Sequence, residues 1–205
     1  MNITNYHKST IKRLLDIIVS ILGLLITSPL ILFISFVIKI TSKGPVIFLQ
    51  ERVGKNGKVF KIIKFRTMIP NAERIQSRLK KINQADGPVF KIYNDPRFTE
   101  IGKFLSRTGL DELPQLINVL RGEMSIVGPR PLPVNEAKKL TRGQKIREFV
   151  RPGITSSWVT SGSHKLSFKK WMYLDKKYVE NASLATDLSI IWNTIILIGG
   201  FILKL

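Results

Sequence analysis

Residues 17–38 carry no charge and would extend about 33 Å as one helix, enough to cross the apolar core of a bilayer. Ser28-Pro29 falls near the middle of this run, where proline removes a backbone donor and crowds the preceding turn, so a bend is expected. Lys8, Lys12 and Arg13 precede the run and Lys39 and Lys43 follow it. Basic flanks favour the cytoplasmic side, and both flanks reach it only if the segment enters and leaves by one face. The pattern therefore predicts an N-terminal segment, residues 1–43, whose apolar run forms a re-entrant membrane helical hairpin, with an ordinary kinked span as the competing form. A cleaved leader is not expected, because the apolar run is long and no small-residue cleavage site follows.

Beyond Gly44-Pro45 the pattern alternates. Residues 46–53 and 58–66 read as strands around an Asn56-Gly57 turn, a small β-hairpin. Its period of two puts Phe60, Ile62, Lys64 and Arg66 on one face. Lys64 and Arg66 then form either a phosphate clamp or a solvated basic edge. Pro70 opens a charged helical stretch to about residue 83, and residues 86–98 form a loop broken by Gly87-Pro88 and Asp95-Pro96. Thr99 can cap a short helix through Arg107. Helical spacing from Leu110 places Leu113, Leu116, Ile117 and Leu120 on a buried face, with Asp111, Gln115 and Asn118 on a separate polar one. Ser167 can cap a helix carrying Phe168, Trp171, Met172 and Tyr178. Residues 188–203 are apolar but short for a span, so a helix lying in the membrane interface is favoured over a second crossing.

The fold class expected is α+β, mostly helical. Amphipathic interface helices surround a compact cytoplasmic catalytic domain at residues 44–186, and residues 187–205 form a C-terminal interfacial helix of the same domain. Charge sharpens the picture. The chain's 205 residues hold 33 Lys and Arg against 14 Asp and Glu, a net charge of +19, so its partners are anionic: a phosphorylated substrate, nucleic acid or anionic lipid. There is no cysteine, which excludes disulfides and thiolate metal sites. Two histidines, His7 and His164, leave no histidine cluster for a metal.

The chemistry concentrates in residues 106–131. Asp111 and Glu112 are adjacent carboxylates at an expected helix start, among Lys103, Arg107, Arg121 and Arg130. Acidic residues there can simply stabilise the helix. They can also do phosphoryl chemistry, one carboxylate attacking phosphorus while the other holds a divalent metal. Pro129 and Pro131 restrict both sides of Arg130, which either orders its guanidinium for a phosphate or makes a rigid loop with an incidental arginine.

The run GPVFKIYNDPRFTEIGKFLSRTGLDELPQLINVLRGEMSIVGPRP resembles the signature of bacterial sugar transferases, the monotopic polyprenyl-phosphate phosphoglycosyl transferases. KRLLDIIVS from Lys12, the Ser28-Pro29 break, KFRTM from Lys64, RPGIT from Arg151 and LSFKKWMYLDKKYVENASLATDL from Leu166 extend the likeness over about residues 11–190, in the minimal catalytic form. The resemblance implies transfer of a phosphosugar from a UDP-sugar to undecaprenyl phosphate with release of UMP. Asp111 would be the nucleophile and Glu112 a magnesium (Mg2+) ligand. Lys64, Arg66, Arg107 and Arg130 would contact phosphate or nucleotide, and Ser28 and Pro29 would form the helix break. It further implies a place at the cytoplasmic face of the bacterial inner membrane, on anionic lipid. There the product starts a capsule, exopolysaccharide, O-antigen or glycoprotein glycan and passes to downstream glycosyltransferases.

Departures from the family pattern follow RPGIT. Ser156 stands where glycine is usual, Val159 where glutamine is and Ser163 where arginine is, while Gly109 replaces a common serine. They bear on base or sugar recognition near residues 156–164. Three other functions compete. A membrane-tethered nucleic-acid binder explains the charge but not the dyad or the apolar segment, and no nucleic-acid motif is present, so no nucleic-acid partner is expected. A membrane scaffold would be indifferent to Asp111. An ordinary glycosyltransferase would release UDP.

Overall fold

The structure, a computed structural model, describes residues 3–202. It is mostly helical, with one long apolar helix near the N-terminus and two small two-stranded sheets. Helix α1 (Thr10–Thr41) starts where the Ser9 Oγ accepts from the Lys12 amide at 3.2 Å. It runs through Ser28 and Pro29 as one continuous helix. Proline cannot donate to the Leu25 carbonyl, and the Ser28 hydroxyl does so instead at 2.9 Å, which satisfies the group that proline leaves free. Outward residues Leu25, Ile26, Leu32 and Phe33 are 64–76% exposed, an apolar surface that water does not favour.

Both halves of α1 nevertheless pack on the same body. Val19 and Leu24 lie against a core of Ile62, Leu116, Val119, Met124 and Tyr178, while Ile34 and Ile38 pack with Phe65 and Leu105. Polar groups fix the N-terminal half. The Lys12 ammonium donates to Asp187 at 2.5 Å and to the Val127 carbonyl at 3.0 Å, and Tyr178 and Tyr6 donate to the same aspartate at 2.8 and 2.9 Å. Asp16 accepts from the Ser125 hydroxyl and the Ile126 amide at 2.8 and 2.9 Å. Lys12, Asp16 and Asp187 are all buried, so each carboxylate depends on these donors.

Strands β1 (Ile47–Val53) and β2 (Val59–Phe65) form the expected antiparallel hairpin, turning at Asn56 and Gly57, both with positive φ. The register pairs Phe48 with Lys64 and Arg52 with Phe60. The expected helix over 70–83 is broken into α2 (Ala72–Gln76) and a 3₁₀ turn at Lys80–Ile82. Only Ala72 is buried in this segment, which therefore lacks the apolar face a longer helix needs. Helix α3 (Glu100–Thr108) begins as expected, the Thr99 hydroxyl accepting from the Gly102 amide at 3.0 Å.

The next element differs from expectation. Leu110–Glu112 is a 3₁₀ turn, and α4 (Gln115–Leu120) starts only after Pro114, so the two carboxylates precede the helix. The polar face is buried: Asp111, Gln115 and Asn118 are enclosed, while Ile117, expected on the buried face, is 37% exposed. Asn118 explains the reversal. Its Oδ1 accepts from the Ile63 amide at 3.0 Å and its Nδ2 donates to the Lys61 carbonyl at 2.9 Å, completing the free edge of β2.

Strand β3 (Ser125–Val127) runs parallel to β4 (Gly153–Thr155), which brings the GPRP and RPGIT segments together. A Cβ on Gly153 would meet the Gly128 amide nitrogen at 2.1 Å, so this approach requires glycine. Helices α5 (Val134–Ala137), α6 (Ser157–Thr160), α7 (Phe168–Asn181) and α8 (Leu184–Ile202) complete the chain. Leu132, Trp158, Phe168, Trp171 and Met172 form a second core between α6 and α7. Ser167 caps α7 as expected, and α8 begins four residues before the apolar run. Leu188, Trp192, Ile195 and Ile196 of α8 are exposed; Leu203, the end of the expected helix, lies outside the described residues.

The Lys12–Asp187 pair yields a stability prediction. Lys12→Met strands a buried carboxylate and should cost about 3–5 kcal/mol, read as a lower unfolding temperature in detergent. Combining it with Asp187→Asn should recover much of that loss, because the stranded charge is removed as well.

Candidate active site

A turn, a hairpin and a loop converge around Asp111 and Glu112. The 3₁₀ turn at Leu110–Glu112 presents both carboxylates, β2 contributes Lys64, β1 contributes Arg52, and the loop after β3 contributes Arg130. The guanidinium of Arg130 donates to Glu112 Oε1 at 2.6 Å. Its backbone is held as well, since Arg147 donates to the Arg130 carbonyl and Arg52 to the Pro131 carbonyl at 2.9 Å. Proline on each side and two arginines on the backbone give Arg130 one place to stand.

The two carboxylates have been driven apart in character. Asp111 is 6% exposed, and burial together with the neighbouring Glu112 charge raises its pKa well above the usual carboxylate range, against Lys64 and Arg130. Burial would raise Glu112 too, but the charge and hydrogen bond of Arg130, with Lys64 and Arg52, hold it below its ordinary value. Among the described residues no cation is hydrogen-bonded to Asp111. Burial, with Arg52 and Arg130 nearby, lowers Lys64, and the two carboxylates oppose that. Three cations around two carboxylates leave surplus positive charge, the condition for receiving a phosphate.

A cavity of about 670 Å³ adjoins this cluster, a size usual for small-molecule sites. Lys64 and Arg130 line it and link it to the dyad, and Arg52, Arg66, Lys91 and Glu136 also line it. Lys91 is lowered to about 7 by burial and by the charge of Arg130. Burial raises Glu136, one of whose oxygens accepts from the Phe90 amide at 3.2 Å. The loop carrying Lys91 is braced by Asn83, whose Oδ1 accepts from the Lys91 amide at 2.7 Å. The fork of Arg97 on Asp95, at 2.9 and 2.6 Å, ties the loop to α2 through the Ala72 carbonyl.

The structure thus brings Asp111, Glu112, Lys64 and Arg130 together, with Arg66 on the same cavity. It does not bring Arg107 with them: that side chain is exposed, donates to Asn94 at 3.2 Å, and is not among the charges acting on either carboxylate. Ser28 and Pro29 lie within α1, outside the cavity lining. Ser156 is buried and caps α6 through the Val159 amide at 3.3 Å, and neither it nor Val159 nor Ser163 lines the cavity. Trp158 does, stacked on Trp171 with ring centroids 4.3 Å apart. Arg52 was not singled out from the sequence, although the hairpin itself could have revealed it. Pairing across the Asn-Gly turn sets it opposite Phe60, on the face that holds Lys64.

Comparison with known proteins places the whole chain among relatives of one kind. The galactosyl transferase CpsE of Streptococcus agalactiae serotype III is 43% identical over 202 residues, covering 97% of this chain and 45% of that protein. A Klebsiella pneumoniae protein named UDP-glucose:undecaprenyl-phosphate glucose-1-phosphate transferase is 42% identical over 201 residues, covering 94% and 40%. The exopolysaccharide production protein ExoY of Sinorhizobium fredii is 39% identical over 188 residues, covering 90% and 83%. The chain therefore spans less than half of the first two relatives and most of the third. The family model for bacterial sugar transferase matches residues 7–199, nearly the whole chain, and the protein belongs to the bacterial sugar transferase family.

Proposed function

We propose that this protein moves a phosphosugar from a UDP-sugar to undecaprenyl phosphate, releasing UMP through an aspartyl-phosphosugar intermediate. The observation that carries this reading is the division of the dyad: Glu112, half-buried, is held by Arg130 while Asp111, more deeply buried, keeps a carboxylate that no cation hydrogen-bonds. A carboxylate of raised pKa is a better nucleophile once ionised. The donor diphosphate lies against Lys64, Arg52 and Arg130. Asp111 attacks the sugar-bearing phosphorus, and the bond to the bridging oxygen breaks with its electron pair leaving on UMP. The lipid phosphate then attacks the same phosphorus, and the Asp111 oxygen departs as carboxylate.

Magnesium fits the donor set. Among the described residues no group of three acidic or histidine side chains could hold a metal, but magnesium needs only one or two carboxylates when phosphate oxygens complete its shell. Glu112, with Asp111 beside it, would hold it, and the bound ion supplies charge neutralisation at the phosphate oxygens. Relatives named for galactose and for glucose make UDP-galactose and UDP-glucose the first donors to test. The product would be the first lipid-linked sugar of a surface glycan, passed on to glycosyltransferases.

The membrane arrangement belongs to the same reading. Both halves of the apolar α1 pack on one strongly basic body, with lysines at both flanks, which supports a re-entrant helix bent near Ser28-Pro29 and seated from the cytoplasmic face. The exposed apolar residues of α8 would lie in the interface beside it, over anionic lipid.

Purified protein with magnesium, undecaprenyl phosphate and a matching UDP-sugar should release UMP. Asp111→Asn should lower that rate by at least about 1,000-fold, and chelation of magnesium should stop it. UDP as product would mean glycosyl transfer instead. Cysteines placed at Ser9 and Lys43 should be labelled from the same side of sealed vesicles; labelling from opposite sides would make α1 a span.

A further inference from the structure

Resting on the phosphosugar-transfer reading, we propose that Arg66 receives the phosphate of the acceptor lipid, in a subsite of the cavity separate from the one that holds the donor diphosphate. Arg66 is 6% exposed and lines the cavity, two residues beyond Lys64 on the same face of the hairpin. A step of two strand residues is about 7 Å, room for two phosphoryl groups side by side. Lys64 and Arg130 are engaged with the dyad, whereas Arg66 is not among the charges acting on either carboxylate.

Its donors are only partly used. Nη2 donates to the Ser42 carbonyl at 2.9 Å and to the Ser42 hydroxyl at 2.6 Å, while Nε and Nη1 are buried without a hydrogen-bond partner. A guanidinium left with two orphaned donors is costly unless an anion completes it. The orphaned side meets a segment shaped around it, since a Cβ on Gly44 would stand 2.4 Å from Nη1. Gly44 and Pro45, which follow directly on the last turn of the apolar α1, line the cavity together with Arg66. A phosphate carried on a lipid tail reaches the cavity from that side, where Ser42 ties Arg66 to the end of α1. A water-soluble nucleotide has no need of that approach.

The reaction balances with the lipid phosphate at Arg66. One of its oxygens attacks phosphorus of the aspartyl-phosphosugar, forming the diphosphate bond. The phosphorus–Asp111 oxygen bond breaks, and its electron pair restores the carboxylate with no proton or redox partner required.

The two half-reactions can be read separately. With UDP-sugar alone, enzyme releases one burst of UMP; with lipid phosphate added, turnover continues. Arg66→Gln should leave the burst and the donor KM within about twofold, while raising the lipid-phosphate KM by about tenfold or more, as expected for loss of a charged contact. Arg66→Lys, which keeps the charge and disturbs folding least, should fall between the two. Ser42→Ala removes the hydroxyl anchor but not the charge and should stay close to wild type. An unchanged lipid-phosphate KM, an equal loss of burst and turnover, or a Ser42→Ala enzyme as impaired as Arg66→Gln would overturn the assignment. Absence of any UMP burst from wild-type enzyme would instead remove the transfer reading on which it rests.

Discussion

The bond between Arg130 and Glu112 is the constraint from which the rest of the site follows. Two adjacent carboxylates enclosed together cannot both be ionised cheaply, and one hydrogen-bonded guanidinium settles which of them carries its charge comfortably. Glu112 is thereby a fixed anion. Asp111, with a raised proton affinity and no cation hydrogen-bonded to it, is the carboxylate that the proposed transfer takes as nucleophile. Most of the architecture around the dyad serves this placement. The parallel β3–β4 pair, closed by glycine at a backbone contact that admits no side chain, delivers the loop that carries Arg130. The β-hairpin delivers Lys64 and Arg52 from neighbouring strands.

The same body holds the apolar helix at both ends, by different means. At the N-terminal half the attachment is polar and buried, Lys12 and Asp16 meeting Asp187, Ser125 and two backbone groups of β3. At the C-terminal end it is apolar packing on Phe65 and Leu105, with Arg66 closing the last turn through Ser42. Ion pairs of this kind contribute little net stability against an apolar alternative, but they tolerate few registers. Their position between α1, β3 and α8 fixes how the apolar helix is seated relative to the cavity.

Much of this was legible in the sequence where a local rule acts alone. The hairpin followed from Asn56-Gly57 between alternating runs, the starts of α3 and α7 from Thr99 and Ser167, and the dyad from two carboxylates among cations. What was not legible depends on partners distant in the chain. Asn118 reads only as part of a polar helix face until β2 is placed beside it. Nothing near Asp187 in the chain points to Lys12, which reaches it across 175 residues. The stretch over 70–83 has helical composition, but with only Ala72 buried it breaks into short turns. Arg107, a candidate through the family resemblance, donates to Asn94, a contact that spacing along the chain does not reveal.

The most direct test of the account is the intact mass of the protein after incubation with magnesium and its UDP-sugar in the absence of lipid phosphate. The account predicts a gain equal to one phosphosugar, located on Asp111 by peptide mapping, absent from Asp111→Asn and lost when undecaprenyl phosphate is added. Steady release of UMP with no such adduct under rapid quenching, or an adduct on any other residue, would contradict it.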